Sequence, residues 1–251
     1  MSVTDLNLLQ LALLLVAGTV GGFINTLAGG GSLLTIPALL FAGIPSQMAN
    51  ATNRVAVVMQ SVAGAAKFRQ KRVFRIADSL PMLLPSFAGS VLGAFIAVEI
   101  DEQVFDYVLG VVLILMLGTL FMRPTAIADR PAPSRWIGIP VFFLIGVYGG
   151  FVQAGVGFLL IAMITLLYGY DLVKTNALKL LVVALYSLFA IAVFAWYGQV
   201  LWIHGMILGL GNIVGALIGV RLAVLRGTGA IKWVIVVAVV LTALKLFGVF
   251  G

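Results

Sequence analysis

Long apolar runs alternate along the chain with short segments that carry the charged residues, and this pattern predicts membrane-spanning helices. A helix needs about 20 apolar residues to cross a bilayer. The runs at 32–43 and 156–169 cover only about two thirds of a ~30 Å hydrocarbon core, which predicts half-helices or re-entrant pieces and leaves both readings open. The ten runs lie at residues 6–27, 32–43, 54–66, 79–98, 104–122, 137–153, 156–169, 177–197, 202–222 and 231–250.

The composition supports a lipid environment. Of 251 residues, 63% are hydrophobic and 9% are charged, whereas soluble domains are about half apolar and about a quarter charged. We therefore predict an all-α integral membrane protein with about eight to ten membrane segments and no separate soluble domain. The chain has no cysteine, which excludes disulfides, thiolate metal sites and cysteine nucleophiles.

The formal charge of +7 is concentrated in short loops, so it indicates topology and no nucleic-acid partner. Basic loops face the cytoplasm, and the acidic loop at 99–106 has no basic residue. This predicts a multi-pass protein of the plasma membrane with both termini outside the cytoplasm. The residues that set the orientation are Lys67, Arg69, Lys71, Arg72 and Arg75; Arg123, Arg130 and Arg135; Arg221, Arg226 and Lys232; and, outside, Glu99, Asp101, Glu102 and Asp106.

The two halves of the sequence resemble each other. GGFINTLAGGGSLL from Gly21 matches GGFVQAGVGFLL from Gly149, Ala51–Arg54 matches Lys174–Ala177, and GSVLGA from Gly89 matches GNIVGA from Gly211. The run 79–98 leaves a basic loop, whereas its counterpart 202–222 runs towards one. We therefore predict two inverted repeats, 1–125 and 126–251, of about five helical elements each, as in secondary transporters. Small-residue spacing predicts close helix packing at Gly89, Gly93, Gly211, Gly215 and Gly219.

Glycines interrupt the apolar pattern at corresponding places in the two repeats. Gly29, Gly30 and Gly31 precede the short run that begins near Ser32, and Gly155 with Gly157 repeats the pattern more weakly. Such a break exposes amide donors and a helix N-terminus, which favour an anion. The alternative is a tight hairpin that glycine permits.

Two basic residues, Arg54 and Lys179, lie near the starts of apolar runs. A charge at the bilayer centre costs about 2.5–3.5 kcal/mol on insertion scales, so each needs a partner or a function, unless it snorkels to the interface. Nearby polar residues complete the predicted anion site, although their alternative roles are bonds to freed backbone, to their own helix or between helices. The predicted substrate-binding residues are Asn25, Thr26, Gly30, Gly31, Asn53, Arg54, Gln60, Gln153, Asn176, Lys179 and Tyr186.

The sequence has few residues of the types that catalytic and metal sites require. His204 is the only histidine, and no aspartate or glutamate falls deep inside a predicted span. We predict no metal site, no cofactor and no enzymatic activity, and the usual carboxylate relay is missing. The coupling ion, H⁺ or Na⁺, and the assembly, monomer or homodimer, stay open.

The run GGFINTLAGGGSLLTIPALLFAGIPSQMANATNRV, from Gly21 to Val55, resembles the TauE/SafE sulfite-exporter family. It carries that family's glycine-rich break, Pro-ALL stretch and Thr-Asn-basic triplet. The resemblance implies transport of a small anion such as sulfite, a sulfonate, thiosulfate or a similar organic anion. The sequence thus predicts a secondary transporter that works by alternating access, with its site near the bilayer midplane. The alternatives are an anion channel or uniporter and, more remotely, a membrane-embedded enzyme.

Overall fold

The computed structural model describes residues 7–119 and 135–222, and every regular element in these ranges is helical. A 3₁₀ turn, Ile76–Ser79, precedes the fourth helix. The helices are α1 (Leu8–Leu27), α2 (Ser32–Phe41), α3 (Ser46–Gln70), α4 (Leu80–Glu99), α5 (Glu102–Thr119), α6 (Arg135–Phe151), α7 (Val156–Tyr168), α8 (Leu172–Trp196) and α9 (Trp202–Leu222).

The prediction of an all-α integral membrane protein is confirmed. Within the described ranges, four segments are long and apolar enough to cross a membrane. They are Leu8–Leu27, Ile76–Glu99, Leu172–Trp196 and Trp202–Arg221. The tenth predicted run, 231–250, lies outside the described residues, as do Arg123, Arg130, Arg226 and Lys232.

Two helices begin earlier than the apolar runs predict. α3 starts at Ser46 instead of residue 54 because its polar first turns are buried against other helices. α8 starts at Leu172 instead of residue 177, because the Asp171 carboxylate accepts hydrogen bonds from the amides of Val173 and Lys174 and caps the helix. In both cases tertiary contacts or a cap extend a helix past the edge of its apolar pattern.

The short helices α2 and α7 turn back along the helices that precede them. The Gln10 amide donates to the Ala42 carbonyl (3.0 Å), which joins the start of α1 to the end of α2. In the second half, Gly138 in the first turn of α6 lies against the hydroxyl of Tyr168 at the end of α7. At 1.5 Å per residue, α2 is only about 15 Å long. Each pair is thus a helical hairpin whose second helix returns towards the start of the first.

The central helices α3 and α8 run in opposite directions. The Arg54 guanidinium lies 4.8 Å from the centre of the Phe194 ring, and Gly64, later on α3, lies against Leu180, earlier on α8. Residue numbers therefore rise on one helix as they fall on the other. α3 and α8 are matched by the sequence repeat, so two corresponding helices of the halves are antiparallel.

Two parallel helix pairs, α1 with α9 and α4 with α6, pack backbone against backbone. The glycines at these contacts leave no room for a Cβ atom, because it would lie closer to the facing backbone than real atoms approach. The close packing predicted at Gly89, Gly93, Gly211 and Gly215 is confirmed, and Gly219 also lies close to α1, at Thr26. The contacts include Gly18 with Leu208, Gly22 with Asn212, Gly89 with Phe143 and Gly93 with Val147.

One helix of each sequence half packs against the helices of the other half. α9 lies on α1 and α3, and its first turn is fixed to α3 where the Leu201 amide donates to the Thr52 hydroxyl (3.0 Å). α4 lies on α6 and α8, and the turn before it is fixed to α8 by an ion pair between Lys174 and Asp78 (2.9 Å). We name the set α1, α2, α3 and α9 the first bundle, and α4, α6, α7 and α8 the second bundle.

We expect Gly93→Ala to destabilise the protein. Alanine normally favours a helix over glycine by about 1 kcal/mol, but here the new methyl group would press into the Val147 carbonyl of α6, and such overpacking costs about 1–3 kcal/mol. Thermal unfolding of the purified protein should show a lower Tm. Leu92→Ala, on the exposed face of the same helix, is the control and should change Tm much less. An unchanged Gly93→Ala would contradict the close α4–α6 contact.

Candidate functional site

The two glycine breaks meet at the centre of the described structure. Gly29, with φ of 88°, lies so close to Gly157 that a Cβ atom on either residue would collide with the backbone of the other. Gly30 lies against the Phe158 ring, and Gly31 against the backbone of Gly21. Close approach therefore requires glycine at these positions, and at Gly29 the positive φ requires it as well.

Amide groups at both breaks are free of backbone acceptors. Within residues 7–119 and 135–222, the amides of Gly30, Gly31, Ala154 and Gly155 donate no hydrogen bond to another backbone group. They stand at the N-termini of α2 and α7, where the helix dipole is positive. The breaks can therefore attract negative charge.

One group of polar residues surrounds the ammonium of Lys179, which is only 1% exposed. Its Nζ donates to the Asn25 carbonyl (2.7 Å) and to the Asn176 side-chain oxygen (2.8 Å). The Asn25 side chain in turn donates to Gln60 (3.1 Å). Lys179 of α8 therefore binds the last turn of α1, in the other bundle. These four residues are the Lys179 cluster.

A second group surrounds the guanidinium of Arg54, which is 0% exposed. It binds the C-terminal end of α6, where the last carbonyls of a helix have no partner within the helix. The Gln153 amide also donates to the Tyr186 hydroxyl (3.3 Å). Arg54, Gln153 and Tyr186 are the Arg54 cluster. Arg54 donates to the carbonyls of Gly149 (2.7 Å), Gly150 (2.7 Å) and Phe151 (3.3 Å) and to the Gln153 side-chain oxygen (3.1 Å).

Neither buried cation has a carboxylate partner in the described part of the chain. The ion pair found there joins Lys174 to Asp78, at the start of α8. The burial of Arg54 and Lys179 also argues against snorkelling to an interface, which would leave their charged ends exposed. Within the two clusters, the Arg54 Nε–H and the Gln60 side-chain NH2 group have no acceptor among the described residues. A small oxyanion offers the acceptors and the charge that this arrangement lacks.

Seven of the eleven predicted site residues form the two clusters. Arg54 and Gln60 lie six residues apart, about 9 Å along α3, and Lys179 and Tyr186 lie seven apart, about 10 Å along α8. Because α3 and α8 are antiparallel, Arg54 shares a level with Tyr186, and Gln60 with Lys179. In the Arg54 cluster α3 supplies the cation and α8 supplies Tyr186. In the Lys179 cluster α8 supplies the cation and α3 supplies Gln60.

Four predicted residues lie outside both clusters: Gly30 and Gly31 belong to the glycine break, and Thr26 and Asn53 bond elsewhere. The Thr26 hydroxyl donates to the Gly22 carbonyl of its own helix (2.9 Å). Asn53 donates to Ser32 (3.1 Å) and accepts from Thr35 (2.6 Å), so it holds the start of α2 against α3. Both side chains have their hydrogen bonds supplied by the protein.

Sequence reasoning missed Asn50. Its side-chain NH2 group donates to the Phe151 carbonyl (2.9 Å), and its side-chain oxygen accepts from the backbone N–H of Gln153 (3.1 Å), beside Arg54. The available signal was its position four residues before Arg54, on the same helix face, but the predicted run began only at residue 54.

Comparison with known proteins finds a family model and several relatives that match most of the chain. The family described as sulfite exporter TauE/SafE matches residues 14–246. "Probable membrane transporter protein ORF9" of Sinorhizobium sp is 33% identical over 249 residues, covering 96% of this chain and 94% of the relative. A "probable membrane transporter protein" of Haemophilus influenzae is 33% identical, covering 93% and 92%. "Probable membrane transporter protein YfcA" of Escherichia coli K12 is 29% identical, covering 97% and 92%.

No solved structure matches the chain. The family match and the two relatives at 33% identity extend over nearly its whole length. The chain therefore belongs to the TauE/SafE family of membrane transporters.

Proposed function

We propose that this protein is a secondary transporter that carries a small anion across the plasma membrane by alternating access. The substrate class is sulfite, a sulfonate, thiosulfate or a similar organic anion, in line with the family description of a sulfite exporter. The observation that carries the proposal is the burial of Arg54 and Lys179 without a carboxylate partner in the described residues.

The electrostatics favour an anion over a cation or a neutral solute. Taking a charge out of water costs several kcal/mol unless a partner compensates it, and carbonyl dipoles supply only part of that compensation. An oxyanion between the bundles would pair with the ammonium or guanidinium and accept from free donors such as Gln60 Nε2. Free amides at both glycine breaks add donors of the same kind.

The directions of the helices support inverted repeats and hence access from both faces. α3 and α8, matched by the repeat, are antiparallel, and the hairpins α1–α2 and α6–α7 approach each other tip to tip at Gly29 and Gly157. Inverted repeats allow two equivalent states that differ in which face is open, which is the basis of alternating access. On this proposal the anion binds between the halves, beside the crossed glycine breaks.

A channel is the nearest alternative. It requires a continuous polar pore, whereas the glycine backbones of the two breaks are in contact and both cation clusters are buried. Passage then needs the bundles to separate on one side at a time, which favours a carrier.

Thermal unfolding with a panel of anions tests the proposal. Sulfite, thiosulfate and methanesulfonate, each with chloride as reference, are added to the purified protein. A ligand at 100 times its Kd stabilises by about 2.7 kcal/mol, so at least one should raise Tm by about 5–10 °C. The shift should be lost in Lys179→Met. The absence of a shift with every anion would contradict the proposed site.

A further inference from the structure

Hydrogen bonds between the two bundles are concentrated at one end of their interface. Gln47, Asn50 and Arg54 lie on successive turns of α3, on one helix face. Gln47 donates to the carbonyls of Ala97 (3.3 Å) and Ile100 (2.8 Å) at the end of α4. Asn50 and Arg54 donate to carbonyls at the end of α6. We name these three residues the α3 stripe.

The opposite end of the interface has far fewer such bonds. In the described part of the chain, the side-chain bond that joins the bundles there is the one from Lys179 to the Asn25 carbonyl (2.7 Å). The repeat aligns Asn50 with Val173 and Arg54 with Ala177. Neither apolar side chain can donate a hydrogen bond, so α8 has no equivalent of these two α3 donors.

The backbone carbonyls at the two ends also differ in the hydrogen-bond donors that they lose when the bundles separate. The Asn25 carbonyl accepts from the Gly29 amide (3.0 Å) as well as from Lys179, so it keeps a partner when Lys179 leaves. The carbonyls of Gly149 and Gly150 end α6 and depend on the Arg54 guanidinium. Within the described residues, separation at the Arg54 end therefore removes the protein donors of these carbonyls, whereas separation at the Lys179 end leaves the Asn25 carbonyl its Gly29 donor.

We infer that the α3 stripe is a latch and that the empty protein opens first at the Lys179 end. Release of Lys179 from Asn25 exposes an ammonium that has no carboxylate partner in the described residues, so the opening itself creates the entry point for the anion. On the predicted orientation this end faces the cytoplasm, which suits loading for export. The identity of the anion rests on the proposed function, whereas the latch rests on the bundle contacts alone.

The natural absence of cysteine provides a test with matched reporters. Ser46 and Ser61 are buried, 3% and 0% exposed, and each hydroxyl has no hydrogen-bond partner in the described residues. Both lie on the α3 face that carries Asn50 and Arg54, Ser46 at the latched end and Ser61 towards the Lys179 end. Ser46→Cys and Ser61→Cys change one atom each and report opening at the two ends.

The experiment measures labelling by a membrane-impermeant thiol reagent in right-side-out and inverted vesicles, relative to the rate in unfolded protein. Ser61→Cys should react at least about fivefold faster than Ser46→Cys, each from its own face, although Ser46 is nearer to the end of its helix. Adding Asn50→Val, which copies the residue of the other repeat, should raise labelling at Ser46→Cys about fivefold and leave Ser61→Cys unchanged. Gln47→Leu serves as a second latch variant if Asn50→Val does not fold.

Faster labelling at Ser46→Cys than at Ser61→Cys, or no response to either latch variant, overturns the latch. The labelling needs no substrate, so it is independent of the anion. Anion flux measured on the same vesicles separates the two proposals. Labelling as expected without any flux would support the latch and contradict the transport proposal. Flux with equal labelling at both ends would support transport and contradict the latch.

Discussion

Lys179→Met should reduce anion uptake into proteoliposomes by about 30-fold or more while the protein stays folded. Loss of one partner of a buried charge interaction costs about 2–5 kcal/mol, and each 1.4 kcal/mol is a factor of ten. The structural cost is limited to one acceptor: the Asn176 side-chain oxygen loses its Lys179 donor, whereas the Asn25 carbonyl keeps the Gly29 amide and the Asn176 NH2 group keeps the Leu172 carbonyl. Methionine also fills the same space without a charge to bury.

Lys174→Met is the matched control, because it makes the same substitution on the same helix. Lys174 pairs with Asp78 inside the second bundle and is partly exposed, so its loss should leave uptake within about twofold, as surface ion pairs contribute about 0–1 kcal/mol. Uptake and Tm are measured for both variants. Equal uptake by Lys179→Met and the unmutated protein would remove Lys179 from the site.

Gly29→Ala should abolish transport and lower Tm, whereas Gly43→Ala should only lower Tm slightly. The two glycines have nearly the same backbone conformation, with φ of 88° and 89°. A side chain in that conformation costs about 1–2 kcal/mol at either position. At Gly29 the methyl group would also collide with the backbone of Gly157, whereas at Gly43 nothing lies within 4 Å. The difference between the variants therefore isolates the contact of the two breaks.

Tm and uptake of the two purified variants check this expectation. One kcal/mol corresponds to about 2–4 °C for a chain of this length, so Gly43→Ala should lose a few degrees and keep its uptake. If Gly29→Ala behaves like Gly43→Ala in both measurements, the hairpin tips do not meet at the transport site.

The helices were predictable because a bilayer imposes a strong pattern. A spanning helix must be apolar for about 20 residues, and the short runs at 32–43 and 156–169 are visible as departures from that length. The first two turns of α3 were not predictable in this way. Gln47, Asn50 and Asn53 interrupt the apolar run, yet they are helical because their side chains bond to partners on other helices.

The types of residue in the candidate site were readable from the sequence, but their grouping was not. A buried Arg54 requires a partner, and the partners are backbone carbonyls about a hundred residues away at the end of α6. That contact depends on the antiparallel approach of α3 and α8, which no local pattern specifies. The division into an Arg54 cluster and a Lys179 cluster follows from the same tertiary arrangement.

The repeat predicts which segments correspond, but the helix packing follows a different division. Glycines on α9 fit α1, and glycines on α4 fit α6, so each bundle includes a helix from the other half of the sequence. Small-residue spacing predicts that a helix packs closely but does not identify its neighbour. The two bundles could therefore be recognised only once the contacts were known.

Counterflow in proteoliposomes tests the central claim, that a small anion crosses through a site open to one face at a time. Vesicles are loaded with unlabelled sulfite, thiosulfate or methanesulfonate, and uptake of the same labelled anion from outside is followed. A carrier predicts that internal anion accelerates labelled uptake, that the rate saturates, and that the acceleration disappears in Lys179→Met. Uptake that rises linearly with concentration and ignores the internal anion would contradict the account and indicate a channel.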